Sequence, residues 1–150
     1  MMSTFRQTNF RKLSASPTFL QGLKQEIRVD PLPAAVLWVE TSLRPSWLRI
    51  VEYMFWKMCE TIATKRAAQI TVGLAQMKVW LWKEFLKSEF GRTPSIADWE
   101  NPMVNFYAVR WYLSRNVEVH SLLDISRIYT GQVNRYYAGL LDEALALLEV

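Results

Sequence analysis

Prolines and glycines divide this sequence into apolar segments with helical spacing, and that punctuation limits what the chain can fold into. Ser16-Pro17 places a capping serine before a proline in a first helical turn, and Pro102 opens a further helix. Gly91 follows a long apolar run and is typical of a helix C-terminus. Between these signals the apolar residues recur at three- and four-residue intervals. The sequence therefore predicts an all-α globule of about seven helices, in which residues near 66–72 form a loop or a short extended segment.

The helix boundaries follow from the same signals. Helices are predicted from Ser16 to about Ile27, from about Pro31 to Glu40, from Trp47 to about Thr64, from Gly73 to Phe90, from Met103 to Ser114, from Leu122 to Tyr129 and from Asn134 to Leu148. A single turn is expected at Ser95–Trp99, and a break from Thr41 to Pro45. The third helix carries its apolar residues on one face: Leu48, Val51, Phe55, Met58 and Ile62.

Length and composition indicate one domain. The chain has 150 residues, of which 51% are hydrophobic and five are glycine, so it is long enough to bury a sizeable core. Residues 1–15 are polar and basic and are expected to form an arm, while residues 16–150 form the domain. Seven tryptophans, six tyrosines and seven phenylalanines exceed what such a core needs, so some are expected to line a ligand groove.

The net charge of +4 favours an anionic partner, such as a cell-wall polymer, a nucleic acid or a membrane surface. The basic residues near the N-terminus are scattered and lack interleaved aromatic rings, which favours a solvated surface over a nucleic-acid site. These residues are Arg6, Arg11, Lys12, Lys24 and Arg28.

No cofactor or metal is expected from the sequence. The single cysteine, Cys59, lies in an apolar run and is expected to be buried and inert, and no cysteine–histidine cluster is present. His120 has no acidic or nucleophilic partner nearby in sequence and is expected to support the turn before Leu122.

The N-terminal residues lack an apolar segment of signal-peptide length, and no stretch approaches the roughly 20 apolar residues of a membrane span. The expectation is a product made in the cytoplasm without a signal peptide. A substrate outside the membrane would then require another route, such as a phage or a secretion system, and a protein partner for delivery or regulation.

Glu40 ends an apolar run, Val36-Leu37-Trp38-Val39, and is followed at once by Thr41-Ser42 and a proline-marked break at Pro45. A carboxyl group at such a helix end is half enclosed by apolar side chains. That enclosure disfavours the charged form and raises the pKa, as a general acid requires. Considered without the rest of the chain, these residues are explained more simply by a solvated pair of Glu40 with Arg44.

Four short motifs then follow in order along the chain. They are Glu40-Thr41-Ser42-Leu43-Arg44-Pro45, then Thr71-Val72-Gly73-Leu74-Ala75-Gln76-Met77, then Asn101-Pro102 with Asn105-Phe106 and Tyr112-Leu113, and last Ile128-Tyr129-Thr130-Gly131 with Tyr137-Ala138. In this order and spacing the chain resembles the lysozyme-like fold of soluble lytic transglycosylases and goose-type lysozymes. The resemblance covers roughly positions 36 to 140. Val109, Thr130 and Ala75 depart from the usual glycine, asparagine and methionine of that family, and the interval from Glu40 to Gly73 is longer than usual.

The resemblance implies cleavage of the β-1,4 bond between N-acetylmuramic acid and N-acetylglucosamine in peptidoglycan glycan strands. Glu40 would be the catalytic acid and base. Gln76 and Tyr129 would bind polar groups of the substrate, together with Thr41 and Asn105. Tyr137 would orient Glu40 by a hydrogen bond.

A hydrolase adds a second carboxylate, whereas a lytic transglycosylase works with one. Asp98 and Glu52 are the candidates for a second carboxylate, and a solvated helix face is the simpler explanation for Glu52. One-carboxylate, transglycosylase-type chemistry is therefore the first hypothesis. The alternatives are a catalytically silent module of the same fold that binds glycan or protein, and a small basic helical nucleic-acid binder.

Overall fold

The computed structural model describes residues 12–116 and 121–149. Within these ranges a 3₁₀ segment is followed by nine α-helices and one two-stranded hairpin. In chain order they are the 3₁₀ segment Thr18–Leu23, α1 Lys24–Val29, α2 Leu32–Leu43, α3 Ser46–Ile62, α4 Thr64–Ala67, β1 Thr71–Val72, β2 Met77–Lys78, α5 Val79–Phe90, α6 Ile96–Glu100, α7 Pro102–Arg115, α8 Leu122–Thr130 and α9 Arg135–Leu148. The predicted all-α class is confirmed. His120 and residues 1–11 of the predicted arm lie outside the described residues.

Helix α2 is the centre of the fold. It packs against α7 and α9, and every residue from Pro33 to Glu40 is buried. A helix that is apolar on all sides has to be enclosed by other elements. The enclosure extends to the last of these residues, so the Glu40 side chain lies inside the domain.

The predicted break after Glu40 begins too early. Helix α2 continues to Leu43, because the hydroxyl groups of Thr41 and Ser42 donate hydrogen bonds to main-chain carbonyl groups one turn earlier and fit within the helix. The helix ends where Arg44 becomes extended, as expected for a residue that precedes a proline. Helix α3 then begins at Ser46.

The predicted helix from Gly73 to Phe90 is wrong over its first six residues. Residues 73–76 form the turn of a hairpin in which β1 pairs antiparallel with β2, and α5 begins only at Val79. The turn is held by tertiary hydrogen bonds: the Leu74 N–H donates to the Trp99 carbonyl at 3.1 Å, and the Ala75 N–H donates to Asn105 Oδ1 at 2.9 Å. These contacts to α6 and α7 override the helical preference of the local sequence.

The apolar face predicted for α3 points to solvent. Four of its five members are exposed and the fifth, Leu48, is half-buried. The opposite face packs inward, where Tyr53 stacks on Trp99 with ring centroids 5.7 Å apart and Trp56 meets the same ring edge-on at 4.8 Å. In the described ranges no helix is both long and apolar enough to cross a bilayer.

We expect Gly73→Ala to destabilise the fold by about 2–3 kcal/mol, as measured by urea unfolding. Gly73 has a φ of +83°, and a Cβ there would lie 3.0 Å from the Trp99 carbonyl oxygen and 3.3 Å from Asn105 Oδ1. Gly139→Ala is the matched control, because a Cβ at this position in α9 meets nothing within 4 Å. The control is expected to stabilise the protein by about 0.5–1 kcal/mol. Equal effects of the two substitutions would contradict the assigned turn.

Candidate functional site

Glu40 lies near the C-terminal end of α2 and is only 6% exposed. The Tyr137 hydroxyl, on α9, donates a hydrogen bond of 2.7 Å to Glu40 Oε1. The two residues are 97 positions apart in the chain, and the packing of α2 against α9 brings them together. The resemblance described in the sequence analysis implies this hydrogen bond, and the structure contains it.

Two further tyrosines complete a group that we call the Glu40 cluster: Glu40, Tyr112, Tyr129 and Tyr137. The rings of Tyr129 and Tyr137 are stacked, with centroids 6.1 Å apart and planes within 9° of parallel. Tyr112 meets the Tyr129 ring edge-on at 6.1 Å. The Tyr129 hydroxyl is buried and has no hydrogen-bond partner among the described residues. Such a group is a natural partner for a ligand atom or a water molecule.

Electrostatics keep the cluster's tyrosines neutral. Burial and then the charge of Glu40 raise the pKa of Tyr137 well above its ordinary value. Burial, then the charge of Glu40 and the electrostatic effect of Tyr112, also raise the pKa of Tyr129 well above its ordinary value. Both hydroxyl groups therefore keep their protons near neutral pH and can donate hydrogen bonds.

A second group, the Glu52 cluster, consists of Arg44, Glu52, Thr71 and Gln76. Arg44 Nη1 and Glu52 Oε1 form an ion pair at 3.0 Å. Burial raises the pKa of Glu52, although the charge of Arg44 and a hydrogen bond from Gln76 offset part of that rise. Arg44 also donates its main-chain N–H to the Glu40 carbonyl at 3.0 Å, which is the last hydrogen bond of α2, so Arg44 lies one helical turn after Glu40 at the C-terminal end of that helix.

Gln76 is held in an uncommon backbone conformation, with a φ of 51°. Its side-chain amide donates to the Gly73 carbonyl at 3.0 Å, and its Oε1 accepts from the Thr71 hydroxyl at 3.1 Å. Side chains held this way in strained turns are found disproportionately at functional sites. The hairpin therefore presents Gln76 to Glu52 in a fixed orientation.

Thr41 and Asn105 make contacts different from those expected from the sequence. The Thr41 hydroxyl lies 2.8 Å from the Leu37 carbonyl oxygen, within its own helix. Asn105 is fully buried, and its side-chain amide binds main-chain groups of Ala75, Trp99 and two other residues. A substrate contact for Asn105 stays a prediction that this buried position does not support; the residue anchors the hairpin turn.

Asp98 is a helix-capping residue in this structure. It forms a capping box with Ser95 at the start of α6 and an ion pair with Arg92 at 2.5 Å. Burial by itself would raise the pKa of Asp98, but hydrogen bonds from Arg92 and Ser95 outweigh burial and hold the pKa below 3.8. Its Oδ2 accepts hydrogen bonds from Arg92 and from the main-chain N–H and hydroxyl of Ser95, so this carboxylate is engaged in the helix cap.

The ion pair between Arg44 and Glu52 and the edge-on contact of Tyr112 with the Tyr129 ring were not predicted from the sequence. The signal for the first was a cation and a carboxylate on either side of the break at Pro45, close to the start of a helix. The signal for the second was the Tyr112-Leu113 pair inside a recognised motif. Both contacts join separate helices, and helical spacing carries no information on such pairs.

One concave region of the surface lies away from these clusters. A cavity of about 600 Å³ lies between α5 and α7, and its lining includes Phe85, Phe90, Tyr107, Arg110 and Trp111 but no member of either cluster. Across residues 12–116 and 121–149, no three His, Cys, Asp or Glu side chains are grouped so that they could hold a metal ion.

Chemically, the Glu40 cluster holds a buried carboxyl group beside a hydrogen-bond donor and a buried hydroxyl that has no partner among the described residues, and the Glu52 cluster holds a carboxylate paired with arginine. Such a set can donate and accept a proton in a water-poor environment while neighbouring hydroxyl and amide groups bind polar atoms of a ligand.

Comparisons with protein-family models, with curated proteins and with solved structures find no match to this chain. Functional interpretation therefore depends on the geometry of the chain's own residues.

We expect Tyr137→Phe to lower the free energy of unfolding by about 2 kcal/mol, because the buried Glu40 carboxyl group loses a hydrogen-bond donor. Tyr136→Phe is the matched control on the same helix; Tyr136 is exposed, and its change should stay within about 0.5 kcal/mol. Urea denaturation of both variants makes the comparison. Identical stabilities would show that the hydrogen bond to Glu40 contributes nothing.

Asp98 should make stability depend on pH in the acid range. Because its folded pKa lies below its unfolded value of 3.8, its contribution is fully present above that value and is lost as the pH falls through the folded pKa. The difference in unfolding free energy between the parent and Asp98→Asn should therefore be largest near neutrality and shrink in acid. Arg92→Gln should weaken the same pH dependence. A difference that stays constant from neutral to acid pH would contradict the assignment.

Proposed function

We propose that this protein is a peptidoglycan-cleaving muramidase of lytic-transglycosylase type, with Glu40 as the acid and base. The single observation that carries the proposal is the 2.7 Å hydrogen bond from Tyr137 to Glu40, which joins two of the four motifs in one buried cluster. A family resemblance based on the order of motifs requires that such distant segments meet.

In the proposed reaction, the protonated Glu40 carboxyl group donates its proton to the glycosidic oxygen between N-acetylmuramic acid and N-acetylglucosamine. The bond from C1 of N-acetylmuramic acid to that oxygen breaks, and positive charge develops at C1. The C6 hydroxyl of the same sugar then attacks C1 and gives its proton to Glu40. The products are a 1,6-anhydromuramic acid end and a free 4-hydroxyl group on N-acetylglucosamine, and no water is consumed.

The tyrosines of the Glu40 cluster support this role. Tyr137 fixes the orientation of the carboxyl group, which general acid catalysis requires. The Tyr129 hydroxyl is buried without a partner among the described residues and feels the charge of Glu40. We assign it to a polar group of the bound sugar, since binding would satisfy a group that is otherwise costly to bury.

The contacts of Glu52 bear on whether a second carboxylate takes part. Glu52 is engaged by Arg44 at 3.0 Å and by Gln76, so its oxygens already have partners. A carboxylate held by arginine is a poor nucleophile, and this favours the one-carboxylate route. In this proposal Arg44 and Gln76 contact the substrate and Glu52 positions them.

The direct test is the clearing of purified cell walls by Glu40→Gln. We expect the rate to fall at least about 100-fold, since general acid–base catalysis typically contributes that much or more. Glu84→Gln is the matched control, because Glu84 is exposed on α5 and paired with Arg115 rather than with the clusters. The control should clear walls at the parental rate. Equal rates for Glu40→Gln and the parent would refute the assignment of Glu40.

Mass spectrometry of the released muropeptides separates the two mechanisms. Anhydro products and hydrated products differ by one water, and the proposal requires anhydro ends. With Glu52→Gln we expect anhydro products to persist at a reduced rate. Hydrated products from the parent, together with complete loss of activity in Glu52→Gln, would instead identify a two-carboxylate hydrolase.

A catalytically silent glycan-binding module of the same fold is the second candidate, and the near-complete burial of Glu40 favours it. It predicts saturable binding to sacculi that Glu40→Gln leaves unchanged, with no muropeptide released by the parent protein. Release of any muropeptide by the parent, lost in Glu40→Gln, excludes it.

A further inference from the structure

Helix α3 presents a continuous apolar surface to solvent. Seven large side chains form what we call the α3 outer face: Trp47, Ile50, Val51, Met54, Phe55, Met58 and Ile62. Their exposed fractions range from 44% for Phe55 to 79% for Ile62. They recur at three- and four-residue intervals, so they form one stripe about 22 Å long. Single exposed apolar residues are common in soluble proteins, but a stripe of this length marks an interaction surface.

The polarity of α3 is the reverse of that of a helix packed on a core. Its inward side carries Arg49, Glu52 and Glu60, and each of them forms an ion pair with a described residue. Helix α5 has the ordinary orientation, with Leu81, Trp82, Phe85 and Leu86 buried. Tertiary contacts thus satisfy the polar side of α3 and leave its apolar side open.

We propose that the α3 outer face docks on the surface of an anionic lipid bilayer. A helix with one strongly apolar face that includes tryptophan and phenylalanine, together with nearby basic residues, lies in the plane of the membrane interface with its apolar side among the acyl chains. The two methionines at the centre of the stripe adapt their shape to an irregular surface such as lipid. This surface is separate from the two clusters and does not depend on their chemistry.

Charge favours anionic lipid over a second copy of the chain. Lys57 lies at the edge of the stripe, and Lys65 and Arg66 follow in α4; all three are exposed, and none forms an ion pair with a described residue. Both acidic residues of α3, Glu52 and Glu60, are engaged on its inward side. In a symmetric dimer the same face would meet itself, bringing cations together without a matching anion. Lipid phosphate and carboxylate groups supply that anion.

The test is flotation of the full-length chain with large unilamellar vesicles. One preparation contains phosphatidylcholine alone, and the other contains phosphatidylcholine and phosphatidylglycerol in a ratio of about three to one. We expect the protein to float with the anionic vesicles and to be released by high salt, because salt screens the basic residues. It should float much less with neutral vesicles.

Two double variants and one single variant locate the surface that binds lipid. Met54→Gln with Met58→Gln should lower partitioning onto anionic vesicles by about tenfold or more, because two apolar contacts are lost. Val133→Gln with Leu147→Gln replaces two exposed apolar residues outside α3, and partitioning should change by less than about twofold. Lys57→Glu should reduce binding to anionic vesicles by about fivefold or more. Far-UV circular dichroism should be unchanged in all of them, since the replaced side chains are exposed.

Each other outcome overturns the proposal. If the protein fails to float with anionic vesicles and behaves as a dimer that Met54→Gln with Met58→Gln dissociates, the face joins two copies of the chain. Failure to float by a monomeric protein also refutes a lipid surface. Equal flotation with neutral and anionic vesicles would refute the role of anionic lipid. Equal losses of vesicle binding in the two double variants would show that the binding surface is not the α3 outer face.

Discussion

The enclosure of α2 is the constraint on which the rest of the structure depends. This helix is buried on all sides from Pro33 to Glu40, so α7 and α9 have to cover it. A carboxyl group at the end of such a segment needs a hydrogen-bond donor, because an unsatisfied buried carboxyl group is strongly unfavourable. Tyr137 supplies that donor from α9. The same packing that forms the core therefore also forms the candidate site.

The two clusters lie on either side of the short connection between α2 and α3. Arg44 binds the main chain of Glu40 and the side chain of Glu52, so it couples the end of one helix to the next. Pro45 fixes the direction in which α3 leaves α2. The inward side of α3 is then held by the stack of Tyr53 on Trp99 and by Arg49, whose guanidinium binds both carboxylate oxygens of Glu100. With that side occupied, the apolar side is left uncovered by the described part of the chain.

Local pattern was sufficient for most of the helices and misleading for the hairpin. Pro102 and Gly91 marked real helix ends, because a missing N–H or a left-handed residue acts within a few residues. The predicted cap at Ser16 is wrong: the segment after it begins at Thr18 as a 3₁₀ helix without a side-chain cap. Gly73 to Gln76 looked like the start of α5, yet Trp99 and Asn105 bind the main chain of this segment and hold it as a turn. The positive φ of Gln76 shows how far these contacts override local preference.

The sequence by itself determined the all-α class, the approximate helix ends and the motif positions of Glu40, Gln76, Tyr129 and Tyr137, because these depend on short-range spacing. It also revealed an apolar face on α3. Only the tertiary structure decided which way that face points, that Asp98 caps a helix, that Asn105 anchors a turn and that Arg44 pairs with Glu52. The direction of the α3 face and the anchor at Asn105 depend on contacts between segments far apart in the chain. Asp98 and Glu52 instead bind residues within eight positions, across a cap or a helix break that helical periodicity does not describe. Periodicity specifies that a face exists without specifying what packs against it.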